Sequence, residues 1–423
     1  MHLYEPSTPE MVVDLLRTYT ARWWDSSTEF PLIGTPYTLR DQLAREKELS
    51  RYLDQLYERM RRPQNFDPSS PENQERLLAL TAGVIKTSLG LSDRHIQAIL
   101  DYGFREAILE FFHMARRFDA SLSDEDIYQA IRNSTSMHLM QILLGIPVQV
   151  TPSVFAFSML YPYTDNYLDD ASIALEEKQA FNQRFRLRLA GQELPPANQH
   201  EAIIFDLIGM IESQYHRVDY PRVFDSLLAI HSAQSRSLKL VGKFVSPYQV
   251  DVLGTCLEKG GSSALADGYL VAGDLTPQQR DFVFFYGAFT QLMDDLEDVH
   301  SDLEDGIMTV FSVTARRWPL DGITNRVFHF GSYLFEAMKG FDAPGLEPLK
   351  EMFSIVYYPI LIDSANVGSA FYTRPYLKQL QAYYPLRFSY LRKQRSRFQR
   401  KRQSLKLLLE SLAMQAIANP GVS

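Results

Sequence analysis

The segment 277-PQQRDFVFFYGAFTQLMDDLEDVHSD-302 joins a run of aromatic and aliphatic residues to a cluster of acids. Asp294, Asp295, Glu297, Asp298 and Asp302 crowd its end, with Glu304 just beyond. Thr276 in front of it, Pro277 at the first helical position and Gln279 make a capping box. The segment therefore reads as one helix of about 26 residues, ~39 Å long. On that helix Asp294, Asp298 and Asp302 fall at i, i+4 and i+8 and share a face, flanked by Asp295. Carboxylates gathered at the end of a core-like helix repel one another and lose hydration, so a cation is the missing partner.

A second acidic cluster of the same shape stands upstream, in 161-YPYTDNYLDDASI-173. Asp165 and Asp169 share a face at i, i+4, with Asn166 and Asp170 beside them. Its segment opens on 151-TPSVF-155, again a threonine cap followed by proline. Pro162 predicts a kink or irregular turn just before Asp165. Two carboxylate-bearing helices facing each other across a bundle can hold hard cations. Mg²⁺ in particular keeps waters and is completed by substrate phosphates. Two solvated acidic helix ends are the plain alternative.

Working outward, helical periodicity dominates and strand signals are scarce. Helices are expected at 38–61, 73–90, 92–118, 123–144, 152–170, 172–190, 198–217, 221–240, 247–272, 277–302, 321–340, 345–372 and 376–416. A polar, proline-containing linker, 62-RPQNFDPSSPENQ-74, separates the first from the rest, with Ser70 capping the next helix ahead of Pro71. The reading is an all-α chain with an N-terminal extension over 1–62 and a main domain over 70–416.

Composition narrows the class. The chain has 423 residues, 45% apolar, with a formal net charge of −8, which is not the balance of a nucleic-acid binder. A single cysteine, Cys256, precludes an internal disulfide framework and fits a reducing compartment. No basic segment followed by an apolar stretch opens the N-terminus, and the longest apolar run, 282-FVFFYGAFTQLM-293, is short of a membrane span. A cytoplasmic location is expected. The C-terminal 387-RFSYLRKQRSRFQRKRQSLK-406 is strongly basic and acid-free, which suits peripheral contact with an anionic membrane, a solvated helix, or closure over an anionic ligand.

With these residues on the page, 287-GAFTQLMDDLED-298 resembles the second aspartate-rich motif of trans-prenyl synthases, G-x-x-F-Q-x-x-D-D-x-x-D. It matches at Gly287, Gln291, Asp294, Asp295 and Asp298, with Phe289 one place early. The following 302-DLEDGIMTVF-311 is similar to the stretch after that motif, and 165-DNYLD-169 resembles both D-D-x-x-D and the D-x-x-x-D of squalene and phytoene synthases. The chain thus looks like a class I isoprenoid synthase, closest to the bacterial class 1 isoprenoid biosynthesis enzymes. The resemblance covers residues 150–315. It lacks the Gly-Lys-x-x-Arg and Arg-Arg-Gly elements of chain-elongating enzymes, and Asn166 stands where an aspartate is usual.

The resemblance implies an isoprenoid synthase-type helical bundle around a central apolar cavity. It implies Mg²⁺, three ions in the family pattern, held by Asp165, Asp169, Asp170, Asp294, Asp295, Asp298 and Asp302. Asn166, Lys259, Gln291, Arg374 and Arg387 are the candidates for binding the diphosphate. Gly260 and Gly261 after Lys259 predict a local helix break there, and Arg184 and Arg188 read as a solvated face. The aromatic stretches 153–163, 282–289 and 353–360 would line the cavity, although core packing explains any single ring. The activity implied is ionisation of an allylic prenyl diphosphate to a terpene and pyrophosphate. The alternatives are a prenyltransferase, head-to-head or chain-elongating, and a non-catalytic isoprenoid-binding protein. Besides the prenyl diphosphate, a second copy of the chain is a candidate partner; nucleic acid is not.

Overall fold

The computed structural model describes residues 9–61, 71–170, 172–242, 250–341 and 346–399. In chain order the helices are α1 (Glu10–Asp25), α2 (Leu39–Arg61), α3 (Pro71–Leu89), α4 (Asp93–Asp101), α5 (Phe104–Phe118) and α6 (Asp124–Leu143). Then follow α7 (Pro152–Asp169), α8 (Leu175–Leu189), α9 (Gln199–Gln214), α10 (Pro221–Ser237), α11 (Val252–Ala272) and α12 (Pro277–Glu297). The last are α13 (Val299–Asp305), α14 (Val310–Ala315), α15 (Asp321–Met338), α16 (Leu346–Val367), α17 (Arg374–Gln381) and α18 (Phe388–Gln399). Among the described residues the protein is all-α, with one isolated antiparallel bridge between Val241 and Ile307. No described helix is long and apolar enough to cross a membrane.

The chain divides into two compact units. One comprises the chain up to Glu29 together with Tyr102–Leu346, the other Phe30–Asp101 with everything from Glu347 on. In the first unit α11 is the central rod: α12, α10, α6, α1 and α7 all pack on it. Its sequence explains this, because small and apolar residues cover every side and nearly all of it is buried. Closest packing is with α12. A Cβ on Gly260 would collide with the Gly287 carbonyl oxygen, one on Gly287 with the Gly260 carbonyl, and one on Gly261 with the Phe284 ring. The Gly260–Gly261 pair therefore permits a close helix crossing; α11 runs through it unbroken, contrary to the expected break. Arg236 of α10 pairs with the buried Glu258 of α11 (Nε to Oε2 3.0 Å), fixing a third neighbour.

α1 buries Val12, Leu15, Tyr19 and Trp23 along one stripe. Tyr19 stacks on Phe285 at 4.5 Å, and its hydroxyl donates to Asp281 at 2.7 Å. This helix joins the first unit and α2 the second, so residues 1–62 are shared between them. In the second unit α2 packs on α3, and its inner face is tied to the C-terminal helices by polar contacts. Gln42 donates to the Gln381 and Tyr384 carbonyls, both at 2.9 Å, and Ser50 meets the Tyr390 hydroxyl at 2.8 Å.

Several expected helices are subdivided. Gly103, at φ 80°, separates α4 from α5. Pro385, which lacks an N–H and cannot continue a helix, lies between α17 and α18 in place of one rod over 376–416. Pro162 does the opposite: α7 continues through it without the expected irregular turn. The Ser70 cap and the linker 62–70 lie outside the described residues, as does the basic stretch from 400 on.

Candidate functional site

Both acid-tipped helices flank α11. At the start of α7, Ser153 Oγ donates to the Leu270 carbonyl near the end of α11 (2.8 Å). Two turns further along α7, the Tyr161 hydroxyl meets Ser263 and the field of Asp267. On α12, Gly287 meets Gly260 and Ala264, whereas Val283 meets Gly268 nearer the end of α11. Each helix thus runs antiparallel to α11. Their C-terminal ends, which carry Asp165 and Asp294, therefore point toward the same end of that rod, where Cys256 and Lys259 lie within reach of the Asp294–Asp302 carboxylates.

The threonine caps set both registers. Thr151 accepts from the Val154 amide at 3.3 Å, and Thr276 makes the full capping box with Gln279. The acidic end of α12 differs from the single helix expected over 277–302. It stops at Glu297, Asp298 takes φ −87° and ψ 7°, and α13 begins at Val299. The interruption splits the carboxylates between two environments. Asp295 and Asp302 turn inward, each 7% exposed, whereas Asp294 and Asp298 face solvent.

Asp295 Oδ1 accepts from Gln291 Nε2 at 2.8 Å, and its carboxylate also accepts from the Cys256 thiol. Its Oδ2 has no hydrogen-bond partner among the described residues. Asp302 accepts from Thr309 Oγ1 at 3.3 Å; Thr309 in turn caps α14. Burial, then repulsion from Asp295, pushes Asp302 up to about 6. Asp294 also rises to about 6, first from desolvation by the protein crowded around it and then from Asp295, Asp298 and Glu297. Its side chain is nonetheless open to water, so it stands at a concave mouth and is not sealed in. Lys259 opposes these shifts at Asp294, Asp295 and Asp302, which places its charge within electrostatic reach of all three.

A cavity of about 270 Å³ opens from Asp294 into the first unit, between Ser136 on α6, Asp267 on α11, and Tyr286, Thr290 and Gln291 on α12. Its lining is polar. The aromatic stretch 282–289 mostly packs elsewhere: Phe282, Phe284, Phe285 and Phe289 are buried core, and only Tyr286 and Gly287 of that stretch reach the cavity. Asp165 lines a separate apolar cleft of only about 40 Å³, with Phe157, Leu160, Tyr161 and Leu227 among its walls. Neither is by itself the large apolar cavity expected of the bundle, and most rings of the 282–289 stretch lie in the packed core.

Asn166 donates to Asp126 at 2.9 Å, and Asp170 caps the end of α7 and accepts from the Ser172 amide at 2.8 Å. Only the backbone of Asp169 is described. Arg374 begins α17 and Arg387 precedes α18, both in the second unit; Arg387 makes a bidentate pair with Glu46 at 2.9 and 2.7 Å. Arg184 and Arg188 form no solvated face: they pair with Glu201 and Glu212. His300 is exposed, 3.8 Å from Glu304.

No group of three His, Cys, Asp or Glu side chains among the described residues is drawn together as a metal cage. The donor set at the mouth nevertheless fits Mg²⁺ chemically. It consists of carboxylate oxygens, their mutual repulsion is only partly offset by Lys259, and one buried oxygen lacks a partner.

Asp267 is the residue that periodicity alone missed, although an acid inside 264-ALADGYL-270 was a legible signal. It is 4% exposed, and burial pushes its carboxyl up to about 7. A raised acid pKa means the folded state binds a proton that the unfolded state has released, so wild-type stability falls as pH climbs from about 4 to 7 and then levels. Asp267→Asn removes that slope. Thermal melts should show the variant gaining on wild type steadily between pH 4 and 7, with a constant difference above; parallel melting curves at every pH would contradict the assignment.

Comparison with protein-family models, curated proteins and solved structures finds no match for the chain.

Proposed function

We propose that the chain is a Mg²⁺-dependent class I terpene synthase that ionises an allylic prenyl diphosphate. The observation that carries this reading is the shared polarity of α7 and α12, whose aspartate-bearing ends lie at one end of α11. A second support is Lys259, a cation placed among the carboxylates at that end, where a diphosphate would need it.

Asp294, Asp298 and Asp302 on one side and Asp165 on the other would hold the metal. When bound, Mg²⁺ supplies the positive charge that neutralises the diphosphate as its C–O bond breaks. Lys259 adds a second positive charge where the leaving oxygen becomes anionic. Gln291 and the Cys256 thiol fix Asp295 from behind, so the carboxylates stay oriented as charge moves. The cavity below Asp294 is where the prenyl chain would enter, between α6, α11 and α12. The basic segment 387–406, whose described part is Arg387 and α18, would suit peripheral contact with an anionic lipid surface that presents a lipid substrate.

The test is incubation with C10 to C25 prenyl diphosphates, with Mg²⁺ or EDTA, following pyrophosphate and organic extracts. Mg²⁺-dependent pyrophosphate together with a hydrocarbon or alcohol is the expected result. Longer diphosphates on adding isopentenyl diphosphate would make the protein a prenyltransferase. No turnover of any substrate would leave an isoprenoid binder.

A further inference from the structure

The floor of the 270 Å³ cavity carries chemistry that the metal-facing rim does not use. Asp267 sits there on α11, its Oδ2 accepting from Ser136 Oγ at 3.0 Å. Its Oδ1 is buried and has no hydrogen-bond partner among the described residues, although an unmatched carboxylate oxygen is costly inside a protein. No described residue lining the cavity is basic, so no salt bridge there accounts for the acid. The hydroxyls of Tyr161 and Tyr286 lie within its field, and both phenols are pushed up, first by desolvation and then by Asp267. Tyr286 stands eight positions before Asp294 on α12, which puts the floor about 12 Å below the rim. An anionic head held at the rim would thus leave its chain, and any positive charge formed on it, close to the free oxygen of Asp267.

We propose that Asp267 is the base that faces the cationic ligand at the floor of this cavity and takes its proton. Within the terpene synthase reading, on which this assignment rests, the C–H bond next to the cationic carbon breaks. Its electron pair becomes the C=C π bond, and the proton forms an O–H bond on Oδ1. Cation and carboxylate go to neutral olefin and carboxylic acid, which returns its proton to solvent as products leave. A carboxyl brought near neutrality by its surroundings is suited to that exchange.

Two measurements on the full chain separate this proposal from the reading beneath it. In the first, wild type and Asp267→Asn are turned over with the C10 to C25 diphosphates and Mg²⁺, and olefin is measured per pyrophosphate released. That ratio should fall at least tenfold in the variant, with alcohol or less-processed hydrocarbon replacing the olefin; an unchanged ratio overturns the proposal. If wild type releases no pyrophosphate, the synthase reading fails and the second measurement decides alone. It is calorimetric binding of dimethyldodecylammonium, an alkyl cation without a diphosphate. Wild type should bind it at least tenfold more tightly than Asp267→Asn, and equal affinity overturns the proposal. Should the variant not fold, dicyclohexylcarbodiimide labelling of wild type takes its place. Peptide masses should place the adduct on Asp267 and show it blocked by the same ammonium; labelling that the ammonium leaves unchanged overturns the proposal.

Discussion

Asp294→Ala is expected to lower Mg²⁺-dependent pyrophosphate release by about 10²–10³-fold, the scale seen when one electrostatic contact to a developing anion is removed. The structural reason is its place. Asp294 is the one carboxylate of the α12 cluster that both faces water and lines the cavity, with Lys259 opposite in charge beside it. Removing it also removes repulsion felt by its neighbours, so the helical fold should survive and circular dichroism should be unchanged. Asp305→Ala, a few residues on and exposed at the end of α13, serves as the control and should retain near wild-type release. Equal activity in all three proteins would take the α12 cluster out of the chemistry. Asp165→Ala should behave like Asp294→Ala if α7 supplies the facing ligand.

The second large effect concerns the scaffold. Gly287→Ala should cost about 3 kcal/mol, because the new methyl meets the Gly260 carbonyl oxygen and the Ala264 Cβ at the tightest crossing of the first unit. Backbone oxygen cannot rotate away, so α11 and α12 must separate. Gly322→Ala, near the start of α15, has its nearest neighbour at 3.8 Å and should instead gain about 0.5 kcal/mol from reduced chain entropy. Urea unfolding of the two variants beside wild type measures both. A Gly287→Ala midpoint equal to that of Gly322→Ala would mean the crossing is looser than the geometry requires. Cavity and crossing share Gly260 and Gly287, so the same substitution should also narrow the entrance below Asp294.

Much of this architecture was legible because it is written in local chemistry. Threonine–proline starts at 151 and 276 fixed the beginnings of α7 and α12, and helical spacing put the aspartates on their ends. What the sequence could not reveal depended on neighbours. Gly260–Gly261 looks like a helix break when read alone, and only the facing Gly287 and Phe284 make it a packing surface. The interruption at Asp298 has no glycine or proline to announce it; it separates carboxylates that a straight helix would have stacked. The sequence yields α1 only as part of a helical N-terminal extension, because its stripe of Val12, Leu15, Tyr19 and Trp23 gains meaning only against Phe285 and Phe330. The aromatic run 282–289 reads as a cavity wall in the sequence, yet a helix has several sides, and most of these rings are buried in core. The sequence offers Arg387 as a diphosphate binder, but Glu46, over 300 positions away in the chain, takes two nitrogens of its guanidinium.

In the function proposed above, α7 and α12 deliver their carboxylates to one divalent-ion site that grips a diphosphate. Crystals grown with Mn²⁺ and pyrophosphate locate that site through the anomalous signal of the metal. Mn²⁺ should appear between Asp165 and the Asp294–Asp302 segment, with pyrophosphate oxygens completing its coordination and Lys259 turned toward them. Ions confined to one helix, or pyrophosphate bound away from both, would mean that the two acidic ends do not share a metal site.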